Sequence, residues 1–134
     1  MSVIKSKRGT SEAEFIHTAA ELVSFTIKQC NKITKRHTFD VRMKIVGLAW
    51  DVYNNVKDAN DRYPVNQHEV QTRRDLFLNA RSALDTLVGA IRITEEFIPI
   101  DSKTMLKWMA MIDTEFKLIN AILKKDRERY KNIV

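Results

Sequence analysis

The segment PVNQHEVQTRRD, residues 64–75, holds the residue types best suited to chemistry: a histidine beside a glutamate, then two adjacent arginines. His68-Glu69 opens like the H-E-x-x-H of a zinc protease, whose second histidine follows one helical turn later so that both imidazoles reach one metal. Here that position is Thr72, and the remaining histidines, His17 and His37, show no ligand spacing. Asn66-x-x-Glu69 reads instead as a helix cap with its reciprocal partner, which gives the glutamate a structural task. The expectation is a capped helix start that presents arginines, with no metal and no cofactor.

Other routes to catalysis are equally bare. The glycines at 9, 47 and 89 are isolated, so no loop of the G-x-x-x-x-G-K-[ST] or G-x-G-x-x-G type is present to cradle phosphate. Cys30 falls among apolar positions and reads as a buried, inert thiol. Glu95-Glu96 and Asp113/Glu115 lack the Glu-x-x-His spacing of a di-iron bundle, and Met105, Met109 and Met111 read as packing. The chain is expected not to be an enzyme.

The basic residues are the remaining chemistry. The chain has 134 residues and a net charge of +6. Lys5, Lys7 and Arg8 contribute +3, and KKDRERYK at 124–131 contributes five positive and two negative charges, again +3, so residues 10–123 balance. On the 64–97 stretch Glu69 precedes Arg73 by four, the favourable order for a helical ion pair, and Arg81 precedes Asp85 by four, the weaker order. Arg74 has no acidic residue three or four positions away, and it lies seven before Arg81, so both fall on one flank of an apolar seam. Lys35, Arg36, Arg42 and Lys44 cluster near a chain reversal, and Lys124, Lys125, Arg127 and Arg129 crowd the last helix. Arginines on such a flank either snorkel over the core edge or meet phosphate or a partner's carboxylate. With no aromatics interleaved as a stacking platform, nucleic acid would be held by its backbone, in a salt-sensitive and weakly sequence-selective way.

These side chains need elements to place them, and the hydrophobic spacing gives four helices. Ser11-x-x-Glu14 is a capping box, with Phe15, Ile16, Ala19, Leu22, Val23, Ile27 and Cys30 behind it at helical spacing, Thr26 interrupting, to about residue 33. Thr38 reads as the cap of a second helix, about 39–63, that buries Val41, Ile45, Leu48, Ala49, Val52, Val56, Ala59 and Tyr63. Pro64 stops it. A third, about 67–97, repeats Val70, Phe77, Leu84, Ile91 and Ile98 until Pro99. Asp101 or Ser102 starts a fourth, about 102–130, with Met105, Leu106, Met109, Ile112, Phe116, Ile119 and Leu123 inward. Trp50 and Trp108 are both expected in the core.

Only three glycines and two prolines punctuate the chain, too few for a β-sandwich. The expectation is an all-α, antiparallel up-down-up-down four-helix bundle over residues 10–134, preceded by a basic tail at 1–9. One cysteine allows no internal disulfide, and MSVIKSKRG lacks the apolar run of a signal peptide, so the expected location is the cytoplasm, with no membrane partner.

Three stretches, MSVIKSKR, YPVNQHEVQTRRDLFLNARSAL and LKWMAMI, resemble the Avd-like four-helix-bundle family. These are the accessory variability proteins of diversity-generating retroelements, related to proteins encoded in intervening sequences of bacterial ribosomal RNA genes. The resemblance covers nearly the whole chain through diffuse helical patterns. It implies a homopentameric barrel of bundles, without catalytic residues, whose basic surface binds the retroelement's reverse transcriptase and its template RNA or DNA. Carried onto this chain, the basic positions are Arg73, Arg74 and Arg81 with Lys35, Arg36 and Arg42. Where members often have a Gly-x-Trp segment late in the fourth helix, LINAILKKDRERY continues here as charged helix. The alternative is a structural or interaction bundle of the ribosomal intervening-sequence type that has no reverse transcriptase partner.

Overall fold

A computed structural model describes residues 14–96 and 98–134. The basic tail, the Ser11 cap and Phe97 lie outside the described residues. Among the described residues the chain forms four α-helices and no strand: α1 (Glu14–Cys30), α2 (Met43–Asn60), α3 (Gln67–Glu95) and α4 (Ser102–Arg129). Each helix packs on the next in sequence, and α4 closes back on α1. Cross-contacts between α1 and α4 run in opposite number order, Thr18 meeting Glu115 and Trp108 meeting Thr26. Those between α3 and α4 do the same, Arg73 meeting Asp126 and Arg81 meeting Asn120.

The helix starts follow the side chains that cap them. Asn66 is extended, and its Oδ1 accepts the Glu69 amide at 2.9 Å. Glu69 reaches back, but to the amide of Val65 at 2.8 Å, one residue before the usual capping-box donor. At α4, Asp101 accepts both the amide and the hydroxyl of Thr104, at 2.9 and 2.7 Å. The backbone bond to Thr104 is the main reason that the Asp101 carboxyl titrates below its ordinary value.

The second helix begins differently from the expectation. Thr38 is itself helical, at φ −61° and ψ −49°, and ends the preceding 3-10 turn instead of capping α2. A 3-10 turn at Lys35–His37 and a wider π-helical turn at Thr38–Arg42 lead into α2. At its far end α2 stops at Asn60, short of residue 63, so Tyr63 falls past the helix and is exposed instead of buried.

Phe77, Ala80, Leu84, Leu87 and Ile91 of α3 face Ala49, Val52, Val56 and Ala59 of α2 in a fully closed core. Phe15 of α1 sets its ring edge-on to Phe77 at 5.4 Å between centroids. On α4 the inner seam is Trp108, Ile112, Glu115, Ile119, Ile122 and Asp126, alternating steps of four and three. Leu106, expected inside, is exposed, and Ile122 takes the interior with Leu123. Trp108 is buried as expected, its Nε1 donating to Thr26 Oγ1 at 3.1 Å, which explains the threonine in an otherwise apolar stripe. Trp50 is not buried: 44% of it remains exposed on the outer side of α2.

Candidate anion-binding groove

The contact between α3 and α4 is the loosest of the four, and long polar side chains bridge it. Near the start of α3 it opens into a groove of about 320 Å³ lined by Gln67, Val70, Gln71, Arg74, Leu123, Asp126, Arg127, Tyr130 and Lys131. Three cations, Arg74, Arg127 and Lys131, meet there from two helices and the segment after α4. Lys131 is 3.2 Å from Glu128. Neither Arg74 nor Arg127 has an acidic partner among the described residues.

Asp126 is the one acid in this lining, and its charge is already used. Arg73 Nε donates to Asp126 Oδ2 at 2.6 Å and Nη2 donates to Oδ1 at 3.3 Å. Arg73 is only 4% exposed, so it does not stand on the surface beside Arg74. Its phase explains this: residues 73, 77, 80, 84, 87, 91 and 94 form the buried seam of α3. Its Nη1 donates to the carbonyls of Ala59 and Arg62 at 3.0 and 3.2 Å, at the C-terminal end of α2, where the Ala59 carbonyl also accepts the Arg62 amide. The anticipated pair with Glu69 is not formed, because Glu69 is occupied at the cap. The guanidinium thus ties α2, α3 and α4 together, stacked 5.2 Å from the Phe77 ring.

The end of the chain closes the groove from below. The Gln67 amide donates to the Val134 carbonyl at 3.2 Å, and its side-chain Nε2 donates to the carbonyls of Tyr130 and Ile133. Gln71 is held by Asp75 at 2.8 Å. The two glutamines of the rim are therefore held, while its two arginines have no acidic partner among the described residues.

The other sequence candidates divide by position. Arg81 is half-buried and donates to Asn120 Oδ1 at 2.8 Å, bridging α3 to α4 without involving Asp85. Lys124 and Lys125 are exposed on α4 outside the groove lining, and Arg129 lies over the Tyr130 ring at 5.9 Å. Lys35, Arg36 and Arg42 are at the opposite end, where the links after α1 and after α3 meet around a cavity of about 100 Å³ lined in part by Ile33, Ile45, Ile98 and Trp108. Lys35 and Arg36 are exposed, while Arg42 makes long bonds of 3.4 and 3.5 Å to Thr38 and Asn31. With 28 residues in α4, the two basic zones are about 40 Å apart, on the order of one turn of a nucleic-acid duplex.

Sequence reasoning weighed Glu115 only as a metal ligand and did not place it in the core. It is fully buried, and its Oε1 lies 2.7 Å from Thr18 Oγ1, which lies 2.7 Å from the Glu14 carbonyl. A hydroxyl has one proton, so Thr18 donates either to the Glu115 carboxyl, which favours the ionised acid, or to the Glu14 carbonyl. Burial pushes the Glu115 carboxyl up to about 8, with the Thr18 bond opposing. Its Oε2 is buried and, among the described residues, has no hydrogen-bond partner. The signal was available in the sequence: residue 115 is in phase with Ile112 and Ile119.

Cys30 is buried, and its thiol is pushed up to about 11 by that burial, with Arg42 pulling the other way. Among the described residues no three His, Cys, Asp or Glu side chains gather as a metal site, and no helix is long and apolar enough to cross a membrane. No known protein family, curated protein or solved structure matches the chain.

Proposed function

We propose that the chain is a non-enzymatic accessory protein of a diversity-generating retroelement, acting in the cytoplasm. It binds the element's reverse transcriptase and its RNA or DNA through basic surfaces and so supports mutagenic reverse transcription. In this reading the four helices form an antiparallel up-down-up-down bundle, and copies assemble into a ring or barrel, five by the family resemblance. The opposed number order of the α1–α4 and α3–α4 contacts supports the antiparallel arrangement.

The observation that carries the reading is the groove. Arginines are usually neutralised at close packing, yet Arg74 and Arg127 converge with Lys131 around an open volume. The one acid among them is sealed by Arg73. Such a cluster suits a phosphodiester backbone, because guanidinium forks match phosphate oxygens and release bound counterions.

The test is affinity for a mixed-sequence RNA and a DNA duplex measured across a salt series, together with capture of the retroelement reverse transcriptase. Arg74→Ala/Arg127→Ala is expected to weaken nucleic-acid binding across sequences and to lower the salt slope by about 2 for a duplex, one unit per lost phosphate contact. Unchanged affinity and slope in a folded double variant would reject the groove as the contact. Failure to bind either nucleic acid or enzyme would leave a structural bundle.

A further inference from the structure

The cavity of about 100 Å³ lies between the links after α1 and after α3, at the other end of the bundle from the arginine groove. Its inner wall is apolar. Ile45 of α2 and Trp108 of α4 are buried there, and Ile33 and Ile98 come from the two links. The donors in this wall are already committed. Trp108 Nε1 donates to Thr26 at 3.1 Å, and the Thr94 hydroxyl donates to the Ala90 carbonyl at 2.8 Å. Such an interior favours an apolar group, and its size limits which one. A cavity of about 150 Å³ lined by aliphatic and aromatic side chains holds benzene, so this one admits a branched chain of about four carbons.

The mouth carries both signs of charge. Lys32, in the link after α1, and Asp101, at the end of the link after α3, line the cavity and are exposed. The Asp101 carboxyl is held below its ordinary value chiefly by its bonds to the Thr104 amide and hydroxyl, and to a smaller degree by the charge of Lys32. The two side chains are therefore neighbours across the mouth, although, among the described residues, no ion pair joins them. Each is steadied by a neutral partner and has bonding capacity left. Lys32 Nζ donates to Gln29 Oε1 at 3.0 Å, which uses one of its three protons. Asp101 accepts the amide and the hydroxyl of Thr104, and a carboxylate has about four acceptor sites.

We propose that this cavity binds a free aliphatic α-amino acid of the leucine class. Its branched side chain fills the apolar interior, its carboxylate meets Lys32 and its ammonium meets Asp101. Charge selects against the simpler ligands. A branched fatty acid sets its carboxylate beside Asp101, and a branched amine sets its ammonium beside Lys32. The zwitterion satisfies both signs. This site is independent of the proposed nucleic-acid and reverse-transcriptase contacts, whose groove is at the opposite end of the bundle.

The experiment is equilibrium dialysis of the full chain with labelled L-leucine, competed by isocaproate, isoamylamine and glycine. These lack, in turn, the ammonium, the carboxylate and the side chain. The expected result is saturable binding of one leucine per chain, with a dissociation constant at or below about 10 mM, which a modest contribution per non-hydrogen atom gives a ligand of this size. Each competitor is weaker than unlabelled leucine by about twofold or more. Lys32→Ala and Asp101→Asn each weaken leucine binding about two- to fivefold, the range of an exposed charge contact. Asparagine still caps α4, so Asp101→Asn keeps the helix start, and circular dichroism checks both variants. Lys35→Ala, exposed at the same end but outside the lining, leaves binding unchanged. Absence of saturable leucine binding at about 10 mM overturns the proposal. So does competition by isocaproate, isoamylamine or glycine as strong as that of leucine, or binding that both folded variants leave unchanged. Nucleic-acid binding by the same two variants reports on the groove alone, so either site can fail without the other.

Discussion

Asp126 and Glu115 are both carboxylates on the inner seam of α4, about three turns apart, yet the bundle solves their burial in opposite ways. Asp126 is a charge met by a charge: Arg73 grips both of its oxygens. Glu115 has no cation among its bonded partners, only the Thr18 hydroxyl, and burial makes it hold its proton. The difference shows that two identical functional groups in one seam make opposite contributions. An ion pair becomes costly when one member is removed, whereas a lone buried acid is costly as soon as pH favours its ionisation.

The largest effect should come from breaking the pair. Arg73→Ala leaves Asp126 buried and unmatched and removes the guanidinium donor from the carbonyls of Ala59 and Arg62. A loss of about 3–5 kcal/mol is expected, read from urea unfolding. Arg73→Met/Asp126→Leu should recover much of that loss, because it removes both charges together. If the double variant is as unstable as the single one, the pair is not acting as a unit.

The second effect has the opposite sign. Folded Glu115 keeps its proton to about 8, while the ordinary value for the group is 4.5. Between those values the folded chain binds one proton more than the unfolded chain, so stability is fully present below 4.5 and falls as pH rises toward 8. The slope from this group is up to roughly 1.4 kcal/mol per pH unit. Glu115→Gln can still accept the Thr18 hydroxyl but does not titrate. It should remove that slope and stabilise the protein by up to a few kcal/mol at pH 7, with little change at pH 4. Equal pH profiles for variant and wild type would contradict the protonated-acid account.

Thr26 shows what a neutral polar contact in the same core is worth. Thr26→Val keeps the shape of the side chain but leaves the Trp108 Nε1–H without its acceptor. A loss of about 1–2 kcal/mol is expected in thermal or urea unfolding, smaller than that of Arg73→Ala and independent of pH. A loss that varied with pH would tie this contact to Glu115.

These contrasts also mark what could be read from the chain. The helices, the Asn66 and Asp101 starts and the stops before both prolines were legible because caps and breakers act within a few residues. The inner seams were legible in part. Arg73 and Asp126 hold core phase at the helix ends and Glu115 holds it mid-helix, but reading them as inward requires allowing a polar side chain on an apolar stripe, which only its partner on another helix justifies. Those partners are 53 and 97 residues away, beyond any local pattern. Trp50 was misplaced for the converse reason: an apolar residue beside the core face broadens the stripe, and spacing alone does not separate core from surface. Of the groove, Arg74 was marked by its lack of a helical ion partner and Arg127 by its basic run. Their meeting depends on how α3 lies against α4.

The smallest change sharpens the comparison most. Thr18→Val takes away the one hydroxyl in contact with Glu115 and keeps the side chain's bulk. At pH 5, where the acid is neutral, it removes a single neutral hydrogen bond, and a loss of about 1 kcal/mol is expected. The Thr18 bond is also what holds the Glu115 carboxyl down against burial. Without it the pH at which folded Glu115 ionises should move up, so the decline in stability with pH should extend beyond 8 before levelling. The ion pair at Asp126 has no such dependence on a hydroxyl, so Thr18→Val should leave the Arg73→Ala penalty unchanged. If the two losses do not add, the two carboxylates communicate along α4, and their opposite solutions are parts of one network rather than independent answers to burial.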